Sequence, residues 1–324
     1  MIAYPIKFEP ILQEKIWGGS KLKSLLNKAS NKQNIGESWE ISDVDNNISV
    51  VANGDYKGKT LQDLIALFKG DLVGEKVYKH FGEKFPLLIK FIDAKEALSI
   101  QLHPDDALAK KRHNSFGKTE MWYVMQADKN ANLIVGFKED CTKEIYLDYL
   151  NRDKIADLLN TDIVKPGDVY FIPTGRIHAI GLGVLLAEIQ QTSDITYRIY
   201  DWNRKDSEGK GRELHTQEAL DAIDYKSNES YKTDYQTQEN TVSSLIECPY
   251  FTTNIIELSK EIAINNTDKD SFVIYICTKG KARIDYSFGQ SVEMVMGETV
   301  LIPSSLKNFK FNADEASTLL EVFI

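Results

Sequence analysis

Lys165-Pro166-Gly167-Asp168-Val169-Tyr170-Phe171-Ile172-Pro173-Thr174-Gly175 returns near the C-terminus as Met296-Gly297-Glu298-Thr299-Val300-Leu301-Ile302-Pro303-Ser304-Ser305. Both read Gly-acidic-x-apolar-apolar-Ile-Pro, followed by small polar residues. Glycine permits the tight turn between two antiparallel strands, and proline ends the second strand where its ladder donor is not needed. Working outward, Glu120 through Phe137 can be laid over Ser271 through Phe288 without a gap, each copy ending in an alternating strand and then Phe. The pattern predicts two related β units. The first is interrupted by a helical insert at about 139–161, where Ile145, Tyr149, Leu150, Ile155, Leu158 and Leu159 fall at helical spacing. The second is compact. In a small β-barrel the residues after the proline stand at the barrel mouth, and in the first copy that position is His178.

Other segments fit the same plan. Ile35-Gly36-Glu37-Ser38-Trp39-Glu40-Ile41-Ser42 alternates as a half-buried strand does, and Leu61, Leu64, Ile65, Phe68, Leu72 and Val73 predict helix over residues 60–82. Phe85-Pro86-Leu87-Leu88-Ile89-Lys90-Phe91-Ile92-Asp93 is a buried-type strand holding one lysine, and Leu98 to His103 is a second strand stopped by Pro104. Residues 226–244 hold only three hydrophobic side chains, Tyr231, Tyr235 and Val242, and read as a linker. The expected division is 1–225, 226–244 and 245–324.

Composition narrows the function. The 324 residues are 42% hydrophobic and 27% charged, as in a folded globular chain. A net charge of −9 argues against nucleic acid or an anionic membrane as partner, so an anionic ligand would need a local basic pocket. Cys141, Cys248 and Cys277 are far apart without CxxC spacing, which predicts free thiols in a reducing compartment. Lys7 and Glu9 stand where a signal peptide needs an apolar stretch, and no run is long enough for a membrane span. A cytoplasmic protein is expected.

Five histidines occur, and two sit where a metal site would want them. Strand alternation places Gln101 and His103 on one face. Glu120 opens the next strand and His178 follows the proline turn. Two imidazoles and a carboxylate suit zinc or another first-row divalent ion; the alternative is a set of hydrogen-bonded core histidines. In the second copy Ser271 stands at the place of Glu120 and Asn308 at that of His178, so one unit carries ligand types and the other uncharged substitutes.

Four blocks extend this reading. They are Leu98-Ser99-Ile100-Gln101-Leu102-His103-Pro104-Asp105, Gly117-Lys118-Thr119-Glu120, Gly175-Arg176-Ile177-His178-Ala179, and Gln191 through Asp201 with Asp194 and Arg198. With Trp17-Gly18-Gly19 and Gly36 to Glu40, they resemble the shorter bacterial form of the type I mannose-6-phosphate isomerases, in the cupin superfamily. The resemblance spans nearly the whole chain. It implies a mainly β fold of two cupin-type jelly-roll barrels, the first with helical insertions. It also implies one Zn2+ held by Gln101, His103, Glu120 and His178, a catalytic Arg198, and pocket positions at Lys118, Lys90 and Asp194. Longer members carry Lys-Pro-Glu where this chain has Lys118-Thr119-Glu120, and the large helical domain of the longest members is absent.

The implied reaction interconverts mannose 6-phosphate and fructose 6-phosphate through a cis-enediol(ate), with a small phosphorylated sugar as partner and no redox cofactor. A monomer is the default, a weak homodimer the alternative. Two rivals differ in class: a sugar-binding cupin module without turnover, which need not keep Arg198, and a metal-dependent oxygenase, for which Gln101 is a poor ligand. Lys90 and Arg198 have structural alternatives, solvent exposure for the first and pairing with Asp194 or Asp201 for the second. Trp17 and Trp39 are either pocket or core. His80 is read at a helix C-terminal end and His113 in a solvated basic loop.

Overall fold

The computed structural model describes residues 2–205, 208–313 and 315–324. The chain is mainly β. Its first large sheet runs in the order β1 (Ile11–Gly19), β2 (Ile35–Ile41), β5 (Leu87–Ala94), β12 (Val184–Gln191), β7 (Glu120–Ala127), β10 (Val169–Ile172). Facing it is a sheet ordered β13 (Tyr197–Tyr200), β6 (Ile100–Leu102), β11 (His178–Ile180), β8 (Asn132–Phe137), β9 (Leu159–Ile163). A short hairpin, β3 (Asp43–Val44) and β4 (Asn47–Ile48), stands apart.

The second barrel repeats the plan. One sheet is β14 (Val242–Glu247), β15 (Thr252–Leu258), β22 (Ser317–Phe323), β17 (Val273–Lys279), β20 (Thr299–Ile302). The other is β16 (Ile262–Asn265), β21 (Asn308–Ala313), β18 (Lys281–Ser287), β19 (Gln290–Val295). Strand for strand, β2-β5-β12-β7-β10 matches β14-β15-β22-β17-β20, and β6-β11-β8-β9 matches β16-β21-β18-β19. The quoted repeat is therefore β10 against β20, each closed by its proline. Gly167 and Gly297, at φ 91 and 89, take the left-handed conformation the turn requires.

Apolar alternation fills each barrel. Trp122, Val124, Leu133, Leu186 and Tyr170 belong to the core of the first, and Val273, Tyr275, Phe311 and Leu319 to that of the second. A third core joins them: Phe91, Met121 and Ile189 share it with Ile255, Phe272 and Leu320, and the rings of Phe85 and Phe272 lie 4.5 Å apart. The N-terminal segment is stitched to β20 by Ile6 N to Leu301 O at 2.8 Å and its reciprocal bond. Residues 226–241 run along the first barrel, where the Tyr231 hydroxyl donates to Phe137 O at 2.8 Å and that of Tyr235 to Gly167 O at 2.7 Å.

The helix expected over 60–82 is broken into α2 (Leu61–Phe68), α3 (Gly70–Val73) and α4 (Glu75–Phe81). Thr60 and Asp63 form a capping box at the start, and positive φ at Lys69 and Gly74 ends the first two pieces. The insert holds α6 (Lys143–Asn151) and α7 (Ile155–Leu158), after α1 (Lys21–Ser24) and α5 (Asp106–His113) earlier in the chain. The basic stretch around His113 is helix α5, not loop: Asp105 accepts from Leu108 N at 2.8 Å as its N-cap and Asn114 ends it in the left-handed region. His80 lies in the last turn of α4, and α8 (Thr216–Leu220) follows His215. All three cysteines are free, and no helix among the described residues is long and apolar enough to cross a membrane.

Candidate metal centre and active site

Three buried side chains meet inside the first barrel. His103 follows β6, Glu120 opens β7 and His178 opens β11; each is 1% exposed, and their ligand atoms lie within 4.8 Å of one another. His103 Nε2 is 3.2 Å from Glu120 Oε1 and His178 Nε2 is 3.7 Å from Glu120 Oε2. The outer ring nitrogens are tied to backbone, His103 Nδ1 to Ile195 O at 2.8 Å and His178 Nδ1 to Arg176 O at 2.9 Å. A carbonyl only accepts, so each Nδ1 carries the proton and each Nε2 presents a lone pair.

Those lone pairs face a carboxylate. Both Nε2 atoms and both Glu120 oxygens are buried without a hydrogen-bond partner. Lys118 Nζ lies 3.0 Å from Glu120 Oε1 as an ion pair, but off the line a hydrogen bond would need. Acceptors converging on acceptors in a dry interior are costly unless a cation sits among them. Burial, and then Lys118, push His103 down to about 4, and burial likewise lowers His178, so a proton does not fill that place at neutral pH. Burial opposes ionisation of Glu120, yet neighbouring positive charge, that of Lys118 foremost, outweighs it and holds the carboxyl well below its usual range. Two neutral imidazoles and an ionised carboxylate fit a divalent metal ion. Gln101 lies directly opposite His178 in the β6–β11 register and on the same face.

A cavity opens beside this cluster. Gln101, Lys118, Trp122 and His178 line its inner end, Lys90 and Glu188 its wall, and Lys15, Glu37, Trp17, Trp39, Asp194, Arg198 and Arg212 further parts. In register, Trp39 pairs with Lys90, Lys90 with Glu188, and Glu188 with Trp122, making one row across β2-β5-β12-β7. Lys90 Nζ is 3.0 Å from Glu188 Oε1 and 5.3 Å from the Trp39 ring centre, and Trp122 Nε1 donates to Glu188 Oε2 at 2.8 Å. Burial would lower the Lys90 pKa, but Glu188, Glu37 and Glu120 raise it. The same contest, with Lys90 and Lys15 on the other side, holds Glu37 below its ordinary value.

A family description, phosphomannose isomerase type I, catalytic domain, matches residues 6–136. The mannose-6-phosphate isomerase ManA of Bacillus subtilis is 37% identical over 313 residues, covering 96% of each chain. The mannose-6-phosphate isomerase of Streptococcus mutans is 34% identical over 321 residues, covering 97% of this chain and 96% of that one. A crystal structure of the mannose 6-phosphate isomerase from Bacillus subtilis superposes with a TM-score of 0.88 at 32% identity, covering 99% of both chains. The chain belongs to the type I mannose-6-phosphate isomerase family.

Within this family member, the structure brings His103, Glu120 and His178 together, with Gln101 beside them in register. Lys118 is buried against Glu120, and Lys90 is paired inside the barrel and not turned to solvent. Arg198 lies opposite Gln101 in the β13–β6 register and lines the cavity. Its Nη1 donates to Glu213 O at 2.9 Å, while its Nε is buried without a partner. Asp201 is taken by Arg204 and Arg212, the latter through Nε at 2.7 Å. Asp194 is exposed at the cavity edge. Trp17 and Trp39 are both buried and cavity-lining, so the pocket and core alternatives merge. His113 Nε2 is 2.9 Å from the Tyr197 hydroxyl, and the ring is not among the cavity's lining residues.

Glu188 was missed from sequence, although one carboxylate inside Val184-Leu185-Leu186-Ala187-Glu188-Ile189 is the signal that singled out Lys90. Lys15 and Arg212 carry no such local signal.

The second barrel has no such cluster among its described residues. There Asn308 pairs with Asn265 where His178 pairs with Gln101. Ser271, in the place of Glu120, donates to Phe272 O at 2.7 Å. Asn308 is exposed. Asn308→Ala is expected to leave metal content and turnover unchanged and to shift stability by less than about 0.5 kcal/mol. Metal analysis and thermal unfolding check this; loss of metal would contradict a single centre.

Proposed function

We propose that this chain is a zinc-dependent isomerase interconverting mannose 6-phosphate and fructose 6-phosphate, with its chemistry confined to the first barrel and the second barrel a structural partner. The observation that carries the reading is the buried convergence of His103, Glu120 and His178, whose Nε2 and carboxylate oxygens have no hydrogen-bond partner, beside a cation-lined cavity. Relatives named mannose-6-phosphate isomerase that align along almost the whole chain support the substrate. In this reading His103, Glu120, His178 and Gln101 hold the ion. When bound, a zinc ion supplies Lewis-acid stabilisation of charge on a sugar oxygen.

The remaining work belongs to the chain. A proton leaves C2 of the open-chain aldose, its electron pair forms the C1–C2 double bond of a cis-enediol(ate), and a proton returns to C1. Arg198, half-buried with an uncommitted Nε, stabilises the negative charge that develops on oxygen. Lys118, Lys90 and Asp194 orient the sugar. Glu188, held between Lys90 and Trp122, is the titratable group along the cavity that fits the carrier role. The tryptophan-lined wall keeps the site drier than bulk water, which strengthens each of these interactions.

Turnover in deuterated water tests the proton path. Fructose 6-phosphate formed from mannose 6-phosphate is expected to carry solvent deuterium at C1, read by NMR. A direct hydrogen shift would leave the product free of deuterium at every stage of the reaction, so deuterium at C1 excludes it.

A further inference from the structure

We propose that Arg212 is the residue that recognises the phosphate of the sugar substrate, a role that rests on the isomerase reading above. Of the cations lining the cavity, Lys118 is matched by Glu120, Lys90 by Glu188 and Lys15 by Glu37. Arg198 and Arg212 remain, and Arg204 lies beside them; burial first, and then both neighbouring guanidiniums, disfavour the charge on Arg198. Asp201 is shared by two of these three guanidiniums. The arginine end is thus the part of the cavity where guanidiniums outnumber buried carboxylates, since Asp194 and Glu213 beside them are exposed and only Asp201 is buried. A dianionic phosphate is the ligand chemistry that matches it.

Register gives the order of the groups. His178 is opposite Gln101, and Gln101 is opposite Arg198, all on one face of the sheet. At about 4.8 Å per strand, Arg198 starts roughly 10 Å from His178. His215 N donates to Arg198 O at 2.7 Å, so the segment carrying Arg212 edges β13 one step further out. Metal-holding residues, oxyanion arginine and outer arginine therefore follow one another in a row. An open-chain hexose 6-phosphate has the same order, its reacting carbons at one end and its phosphate at the other.

The Arg212 side chain is already held for the purpose. Asp201, 5% exposed, takes its Nε and one terminal nitrogen, while Nη1 has no hydrogen-bond partner among the described residues. Arg204 grips the same carboxylate but does not line the cavity. That difference separates a ligand-binding arginine from one that merely ties down its loop.

Calorimetry with inorganic phosphate on the metal-loaded protein, alongside steady-state kinetics on mannose 6-phosphate, tests the assignment. Arg212→Gln is expected to weaken phosphate binding and raise KM about tenfold to a hundredfold, with kcat within about threefold and metal content unchanged. Arg212→Lys, which keeps the charge and the fold, is expected to fall between. Arg204→Gln is expected to stay within about twofold of wild type in both measurements. Phosphate binding unaffected by Arg212→Gln, or lost equally in Arg204→Gln, overturns the proposal, as does a wild type that binds no phosphate. Arg212-dependent phosphate binding in a metal-loaded protein that does not turn over mannose 6-phosphate would uphold the anion site and remove the isomerase reading.

Discussion

His178→Ala is expected to strip the metal and lower kcat by about three orders of magnitude or more. His178 is 1% exposed, and its Nε2 has no partner but the space shared with His103 and Glu120. Without the imidazole, one carboxylate and one histidine remain of the buried trio, too few to offset dehydration of a divalent ion. Electrostatic stabilisation by a metal ion is worth several kcal/mol, and each 1.36 kcal/mol is tenfold in rate. Metal stoichiometry and kcat, measured on protein whose unfolding transition shows it folded, check the result. A folded variant that kept its metal and its rate would take His178 out of the centre.

Arg198→Ala separates binding of the ion from chemistry. Arg198 is opposite Gln101 in the β13–β6 register, and its guanidinium holds to the protein through Glu213 O, leaving its buried Nε free for a ligand. Removing a preorganised donor aimed at developing charge typically costs about a hundredfold to a thousandfold in kcat. The expected outcome is metal content equal to wild type with kcat down by about two orders of magnitude. Were Arg198 only a tie between β13 and Glu213, kcat would stay near wild type while the melting temperature fell.

The repeat was legible because it is local. A glycine that must adopt positive φ, an acidic neighbour, alternating apolar residues and a terminating proline are dictated by one turn and one strand, so β10 and β20 announce themselves. Lys90 likewise stands out as a charge inside an apolar run, although strand alternation left open whether it faced solvent. Strand alternation put Gln101 and His103 on one face and the residue types offered Glu120 and His178 as their partners, but it took the resemblance to known isomerases to make the four one ligand set. That convergence depends on β6, β7 and β11 meeting across two sheets, a long-range property no spacing encodes. Glu188 shows the limit from the other side: its role as partner to Lys90 and Trp122 follows from the β5–β12–β7 register and from nothing in its own segment. The helix over 60–82 had the right apolar period, but the period is indifferent to breaks at Lys69 and Gly74 that let three short pieces turn over the shared core. Helix α5 was hidden by composition, since an exposed helix with four basic residues in its last turn has no apolar stripe to reveal it.

The most direct test of the central claim is isomerase activity on mannose 6-phosphate before chelation, after chelation and after zinc is restored. Conversion to fructose 6-phosphate is expected to be lost with the metal and to return with it. Undiminished turnover by protein shown to be metal-free would contradict it, and so would a folded, zinc-loaded protein that does not turn the substrate over.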